Sequence, residues 1–243
     1  FRFVNLYNGG KIMLEVLKDK KFIFFDVGYT LDYPASGDWM FTKKFSEIVG
    51  DKLNKYSSVE IQKARELSLE YLENNHLVKN TEEEYYQFIR FYSDISKHLS
   101  LSLTEEEVRA IAYDRTNNMD NYIVYPDAKE VLEVLCHSYK LGIISDTWPS
   151  IKQQLCAIGV RDYFSTSTYS CELGKFKPDE ELYKDALRKC GYKAEETVFI
   201  DDSVRNLEGA AKLGITPILI AANPASDIDS PYLKIHTLSE LLI

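Results

Sequence analysis

The sequence predicts an α/β protein: a doubly wound parallel sheet, with an all-helical unit inserted after the first strand. Three observations predict it. From Tyr122 onward, short wholly apolar runs alternate with amphipathic helical segments, the pattern of parallel strands covered on both faces. Between Gly37 and Asn121 the periodicity is helical and no strand pattern interrupts it. Ahead of that stretch stands one more apolar run, KFIFFD at 21–26, which suits a buried strand of the same sheet. The expected units are therefore residues 1–33 with 121–243 as the α/β core, and residues 34–120 as a helical cap.

The elements are justified in chain order. Residues 21–26 form the first strand, and Gly28, Pro34 and Gly37 punctuate the segment after it. Three capping boxes mark helix starts in the insertion: Ser57-x-x-Glu60, Thr81-x-x-Glu84 and Thr104-x-x-Glu107. In each, the hydroxyl accepts from a free backbone N–H and the acid reaches back. The segment 58–76 puts Ile61, Ala64, Leu67, Ser68, Tyr71 and Leu72 on one face, and the segment 82–99 aligns Tyr85, Phe88, Ile89, Tyr92 and Ile95. With a segment from about Trp39 to Val49, these give four helices and a small bundle. Beyond Tyr122 come a helix from Asp127 to Ser138, a strand at 141–145 and a helix after Pro149. Next are a strand near 163–167 and a helix at 179–189. The strand TVFID at 197–201, a helix at 204–213 and the strand ITPILI at 215–220 close the series.

Composition bounds the function. The 243 residues are 45% hydrophobic, 28% charged and 13% aromatic, a soluble globular profile that excludes disorder, collagen and coiled coil. The net charge of −9 disfavours nucleic acid or an anionic membrane as partner, without excluding a small anion held by fixed donors in a cleft. No apolar run approaches the ~18–20 residues that span a bilayer. Cys136, Cys156, Cys171 and Cys190 show neither a CxxC pair nor a histidine at metal-ligand spacing, so they read as reduced thiols of a cytoplasmic protein. His76, His98, His137 and His236 show no triad or metal spacing. Met13 is read as a start residue, with residues 1–12 as a leader lacking the apolar centre of a signal peptide.

The polar residues at strand ends carry the chemistry. Asp26 ends the first strand, Ser145 the next clear one, and Asp201 and Asp202 the strand TVFID. In a doubly wound sheet the carboxyl ends of the strands line one crevice, so these residues should converge. Three carboxylates there repel one another, and a divalent cation relieves them; hard oxygen donors suit Mg2+. Lys177, between Gly174 and Pro178, can neutralise carboxylates and hold a phosphate. The bland alternatives are helix-capping roles for Asp26, Ser145 and Asp146 and a solvated loop for Lys175 and Lys177. Asn206 either orients Asp202 or faces water. Tyr29 and Trp148 read as core aromatics more readily than as the mouth of a site.

Four motifs in order resemble the haloacid dehalogenase (HAD) superfamily of aspartyl-nucleophile phosphatases. FIFFDVGYTL is similar to the strand followed by DxDxT, LGIISD to the strand ending in Ser or Thr, GKFKP to Gly-x-x-Lys-Pro, and FIDDSVRNLEGAAKLG to the acidic fourth motif. The resemblance covers about 21–33 and 121–243, and the insertion matches the helical-cap subclass in position. It implies a Rossmann-like core and a Mg2+-dependent phosphatase. Asp26 would be the nucleophile, forming an aspartyl-phosphate. Ser145 and Lys177 would bind the phosphoryl group with the backbone amides of Val27 and Gly28. Asp26, Asp202 and the Gly28 carbonyl would be metal ligands, and Asp201 would support a metal-bound water. The implied partner is a small phosphorylated metabolite, acted on by a monomer or homodimer. The cap would close over the crevice from hinges near 33–37 and 117–123, and specificity would lie in the loop YPASGDW and on cap helices.

The sequence departs from the pattern at Gly28, where the second Asp of DxDxT protonates the leaving group. General acid–base help contributes roughly 10²- to 10⁴-fold. The departure leaves three readings: a phosphatase whose substrate has a good leaving group or whose acid is Asp32 or a cap residue; a phosphate-binding or partner-binding pseudoenzyme; and a 2-haloacid dehalogenase. The third is disfavoured because dehalogenases resemble D-x-Tyr-Gly-T and lack the carboxylates that Asp201 and Asp202 provide here.

Overall fold

The structure, a computed structural model, describes residues 3–8 and 11–242. The chain divides into two compact units. The first comprises Phe1–Tyr33, Val124–Thr147 and Leu155–Ile243, the second Pro34–Ile123 and Trp148–Gln154.

The first unit opens with an antiparallel pair, β1 (Phe3–Asn8) and β2 (Lys11–Leu14). Part of the stretch read as a leader (residues 1, 2, 9 and 10) lies outside the described residues. β3 (Phe22–Phe25) is buried at all four positions, as a central strand covered on both faces must be. β4 (Asp32–Pro34) and β5 (Tyr122–Val124) pair with each other in a separate two-stranded ladder. The remaining strands are β6 (Lys140–Ser145), β7 (Phe164–Tyr169), β8 (Thr197–Asp201), β9 (Thr216–Ile220) and β10 (Leu233–Ile235). The sheet order is β10-β9-β8-β3-β6-β7, parallel at every pairing. This is the expected doubly wound α/β architecture. The sequence reading missed β1, β2, the short pair β4 and β5, and the edge strand β10.

The insertion supplies α1 (Lys43–Val49), α2 (Ser58–Asn74), α3 (Thr81–His98) and α4 (Glu105–Asn117), the helices of the second unit. Its core is aromatic: Phe45, Phe88, Phe91 and Tyr92 are fully buried with Ile95. Two expected capping boxes are formed, at Ser57/Glu60 and Thr104/Glu107. The third is not: Asn80 caps α3 by accepting from the Glu83 N–H at 2.9 Å, and Thr81 is already helical. Glu84 is fully buried and accepts from the backbone N–H and hydroxyl of Ser150 at 2.7 and 2.6 Å. The buried stripe of α2 is narrower than its periodicity suggests. Ala64, Ser68 and Leu72 are buried, whereas Leu67 is 46% exposed. Trp148 is core to this unit, edge-on to His76 and packed on Phe88, and its indole N–H donates to Gln87.

In the first unit, α5 (Ala128–Cys136), α6 (Ile151–Ala157, begun in the second unit), the short α7 (Ser170–Leu173), α8 (Glu180–Cys190) and α9 (Val204–Lys212) connect the strands. One core cluster joins Phe22, Phe24, Phe199 and Leu219 of the sheet to Leu182 and Tyr183 of α8 and Leu207 and Ala210 of α9. Close approach explains two glycines. A Cβ on Gly142 would lie 2.7 Å from the Phe22 ring, and one on Gly209 would lie 2.7 Å from the Pro178 Cβ. Among the described residues no helix is long and apolar enough to cross a membrane.

Candidate active site

Strand register brings the acidic residues together. Phe25 pairs with Ile200 on one side and Ile143 on the other, so the next residue, Asp26, lies at the carboxyl end of β3 between β8 and β6. The Asp26 N–H donates to the Ile200 carbonyl at 2.9 Å, which fixes where its side chain leaves the sheet. Asp201 ends β8 and Asp202 comes directly after it. One oxygen from each of Asp26, Asp201 and Asp202 lies within 4.8 Å of the others. Ser145, 3% exposed, closes β6, the neighbouring strand. After β3 the chain turns tightly: the Val27 carbonyl accepts from the N–H groups of Thr30, Leu31 and Asp32. Tyr29, not Gly28, takes the left-handed conformation in this turn, at φ 55°.

A buried cation holds the cluster. Lys177 Nζ lies 2.8 Å from Asp26 Oδ1 and 2.7 Å from Asp201 Oδ2, and it donates to the Ile144 carbonyl at 3.3 Å. Its side chain is 1% exposed and its ammonium sits 5.4 Å from the Phe199 ring centroid. Burial works against its charge, but the carboxylates of Asp201, Asp26 and Asp146 outweigh it and hold Lys177 well above the usual lysine range. The loop that presents Lys177 is itself pinned, since the Lys177 N–H donates to Asp146 Oδ1 at 2.9 Å.

The two adjacent aspartates have different surroundings. Asp201 is fully buried and saturated: besides Lys177 it accepts from the Ser203 N–H at 2.8 Å and from Asn206 Nδ2 at 3.1 and 3.2 Å. Burial pushes it up to about 6 despite Lys177. Asp202, just past the end of β8, accepts from the Ser226 hydroxyl at 2.9 Å. Burial, then Asp201 and Asp26, push it up to about 7. Asp146 is raised to about 6 by burial, with Lys177 opposing.

The structure thus brings Asp26, Asp201, Asp202 and Lys177 into one cluster, with Ser145 on the adjacent strand and Val27 and Gly28 directly after Asp26. Asn206 serves neither of the roles expected of it; it holds Asp201. Asp146, weighed from the sequence only as a helix cap, instead accepts from the Lys177 N–H. Sequence reasoning missed Ser226, which ends the 3-10 turn Pro224–Ser226 and carries no motif.

The sequence model of the haloacid dehalogenase-like hydrolase family matches residues 51–220, more than half of the chain, and takes in Ser145, Lys177, Asp201 and Asp202. The match begins after Asp26. This chain belongs to that family. It is 32% identical over 121 residues to the glyceraldehyde 3-phosphate phosphatase of Methanocaldococcus jannaschii, covering 48% of this chain and 53% of that protein. It is 30% identical over 122 residues to (S)-2-haloacid dehalogenase 4A of Burkholderia cepacia, covering 48% and 53%. The chain therefore spans about half the length of these curated relatives. The crystal structure of a HAD phosphatase from Thermococcus onnurineus shares the fold, with a TM-score of 0.60 and 24% identity, covering 91% of this chain and 95% of that one.

Proposed function

We propose that this protein is a magnesium-dependent phosphatase of a small phosphorylated metabolite, acting through an aspartyl-phosphate on Asp26. One observation carries the reading: a single buried lysine lies between Asp26 and Asp201, with Asp202 completing a three-carboxylate cluster at the strand ends. The phosphatase relative supports the substrate class.

The donor set fits Mg2+. All three side chains offer hard oxygens, and one oxygen of each lies within 4.8 Å of the others, as ligands of one small cation must. Asp26 and Asp202 would hold it with the Gly28 carbonyl. Asp201 has both oxygens engaged and would act through a water. When bound, the ion neutralises carboxylate and phosphoryl charge. Asp26 supplies the oxygen that attacks phosphorus, and the P–O bond to the leaving group breaks as the new one forms. Lys177 aims Asp26, and with Ser145 and the amides of Val27 and Gly28 it would receive charge on the transferring oxygens. Water then cleaves the Asp26 acyl-phosphate and releases phosphate. Gly28 donates no proton to the leaving group, which favours substrates whose leaving group needs none.

Gly28 also supports a second reading, a phosphate-binding pseudoenzyme. Calorimetry with beryllofluoride, a mimic of an aspartate-bound phosphoryl group, separates the two questions. Wild type should bind it with Mg2+ and Asp26→Asn should not; binding by neither overturns the assembled centre. If wild type binds, phosphate release from a metabolite panel distinguishes enzyme from binder. Halide release from 2-haloacids would instead favour the dehalogenase reading.

A further inference from the structure

A second cluster of metal-ligating groups lies apart from the strand-end carboxylates, on the last turn of α5. Glu133, Cys136 and His137 stand at i, i+3 and i+4, and one ligand atom from each falls within 4.8 Å of the others. We propose that these three side chains form a binding site for a borderline or soft divalent cation of the zinc type, with water completing the coordination.

The donor chemistry selects the ion. A thiolate, an imidazole and one carboxylate suit Zn2+ or Co2+, whereas Mg2+ prefers all-oxygen surroundings. The geometry is nearly formed. Cys136 Sγ lies 3.9 Å from His137 Nδ1. Ligands at ~2.3 Å (sulfur) and ~2.0 Å (nitrogen) from one tetrahedral ion stand roughly 3.5 Å apart, so the pair is near ligating distance once His137 gives up its contact with the Glu133 carbonyl. Both groups now turn to the same backbone atom: the Glu133 carbonyl accepts from the Cys136 thiol at 3.1 Å and lies 2.6 Å from His137 Nδ1.

One feature beyond proximity favours a cation. The cluster is at a helix C-terminus, where unpaired carbonyls concentrate negative potential. On binding, the Cys136 S–H proton passes to solvent, a sulfur–metal bond forms, and neutral His137 donates a ring-nitrogen lone pair.

Cobalt(II) titration of the intact, reduced protein in excess Mg2+ tests the site, because excess Mg2+ occupies hard-oxygen sites and a thiolate ligand gives a charge-transfer absorption. Wild type should show that band saturating at one equivalent and bleached by Zn2+. Cys136→Ser should abolish it. His137→Ala should weaken binding at least tenfold, while Cys156→Ser, a control at another exposed thiol, should leave it unchanged. Failure to form the band, a band that needs millimolar ion, or a band that survives in Cys136→Ser overturns the proposal.

Discussion

Replacing Lys177 by Met removes the buried cation from a cluster of buried carboxylates while keeping much of the side-chain volume. Lys177 lies 2.8 Å from Asp26 and 2.7 Å from Asp201, and the Lys177 and Asp201 side chains are 1% and 0% exposed. Water cannot replace the lost partner, so the regime is that of a broken buried ion pair, about 3–5 kcal/mol of destabilisation. For a chain of this length each kcal/mol lowers Tm by about 2–4 °C, which places the expected loss at roughly 6–20 °C at pH 8 in chelator. The loss should shrink at pH 5, where Asp201 and Asp202, raised to about 6 and 7 with Lys177 present, accept protons instead. Adding Asp201→Asn to Lys177→Met should recover part of the stability, because it removes the stranded charge. Urea denaturation at the two pH values, on wild type, single and double variants, makes the measurement. A Lys177→Met loss below 1 kcal/mol at pH 8, or a double variant no more stable than the single one, refutes the electrostatic account.

The same geometry makes two further predictions. Asp202 and Asp201 have folded pKa values raised above the unfolded carboxylate range, so the folded state binds more protons between about pH 4 and 7 and metal-free stability should fall as pH rises through that window. Thermal unfolding in chelator from pH 4.5 to 8 should show the decline, and saturating Mg2+ should stabilise the protein more at pH 8 than at pH 5; a flat profile would contradict the assigned environments. At Gly209, an alanine Cβ would meet the Pro178 Cβ at 2.7 Å and Tyr183 at 2.9 Å. Gly209→Ala should therefore destabilise by about 1–3 kcal/mol in denaturant melts despite its better helix propensity, and a more stable variant would show that α9 can move away.

What the sequence revealed depended on how local the deciding interaction is. β3 and β8 are buried at every position, so their apolar runs needed no context, and the strand-end aspartates came with them. β10 has only Ile235 buried among its three residues, too little apolar signal to separate from a loop. The spacing Thr81-x-x-Glu84 predicts the cap of α3, whereas Asn80 caps it and the Glu84 carboxylate is taken by Ser150, a partner too distant in sequence for a local pattern to show. The spacing of Asn206 from the acidic pair predicts an Asp202 partner or solvent, whereas its amide donates to both oxygens of Asp201, a choice that local spacing does not make.

The charge balance of the strand-end cluster links the metal reading to the departure at Gly28. Asp26, Asp146, Asp201 and Asp202 gather around one lysine, Lys177, and the Asp146, Asp201 and Asp202 carboxyls are all held above their usual range, as expected where negative charge is crowded and desolvated. An anionic phosphate ester would meet repulsion from such a cluster without added positive charge. A carboxylate at position 28 would add to that repulsion whenever it was ionised. Gly28 removes this term together with the proton it would have donated. The same substitution therefore lightens the burden of binding an anion and withdraws help from leaving-group departure. On the proposed phosphatase reading, an acyl or anomeric phosphate is therefore expected to be hydrolysed faster than a simple alkyl ester, and comparing phosphate release from the two kinds of ester tests it.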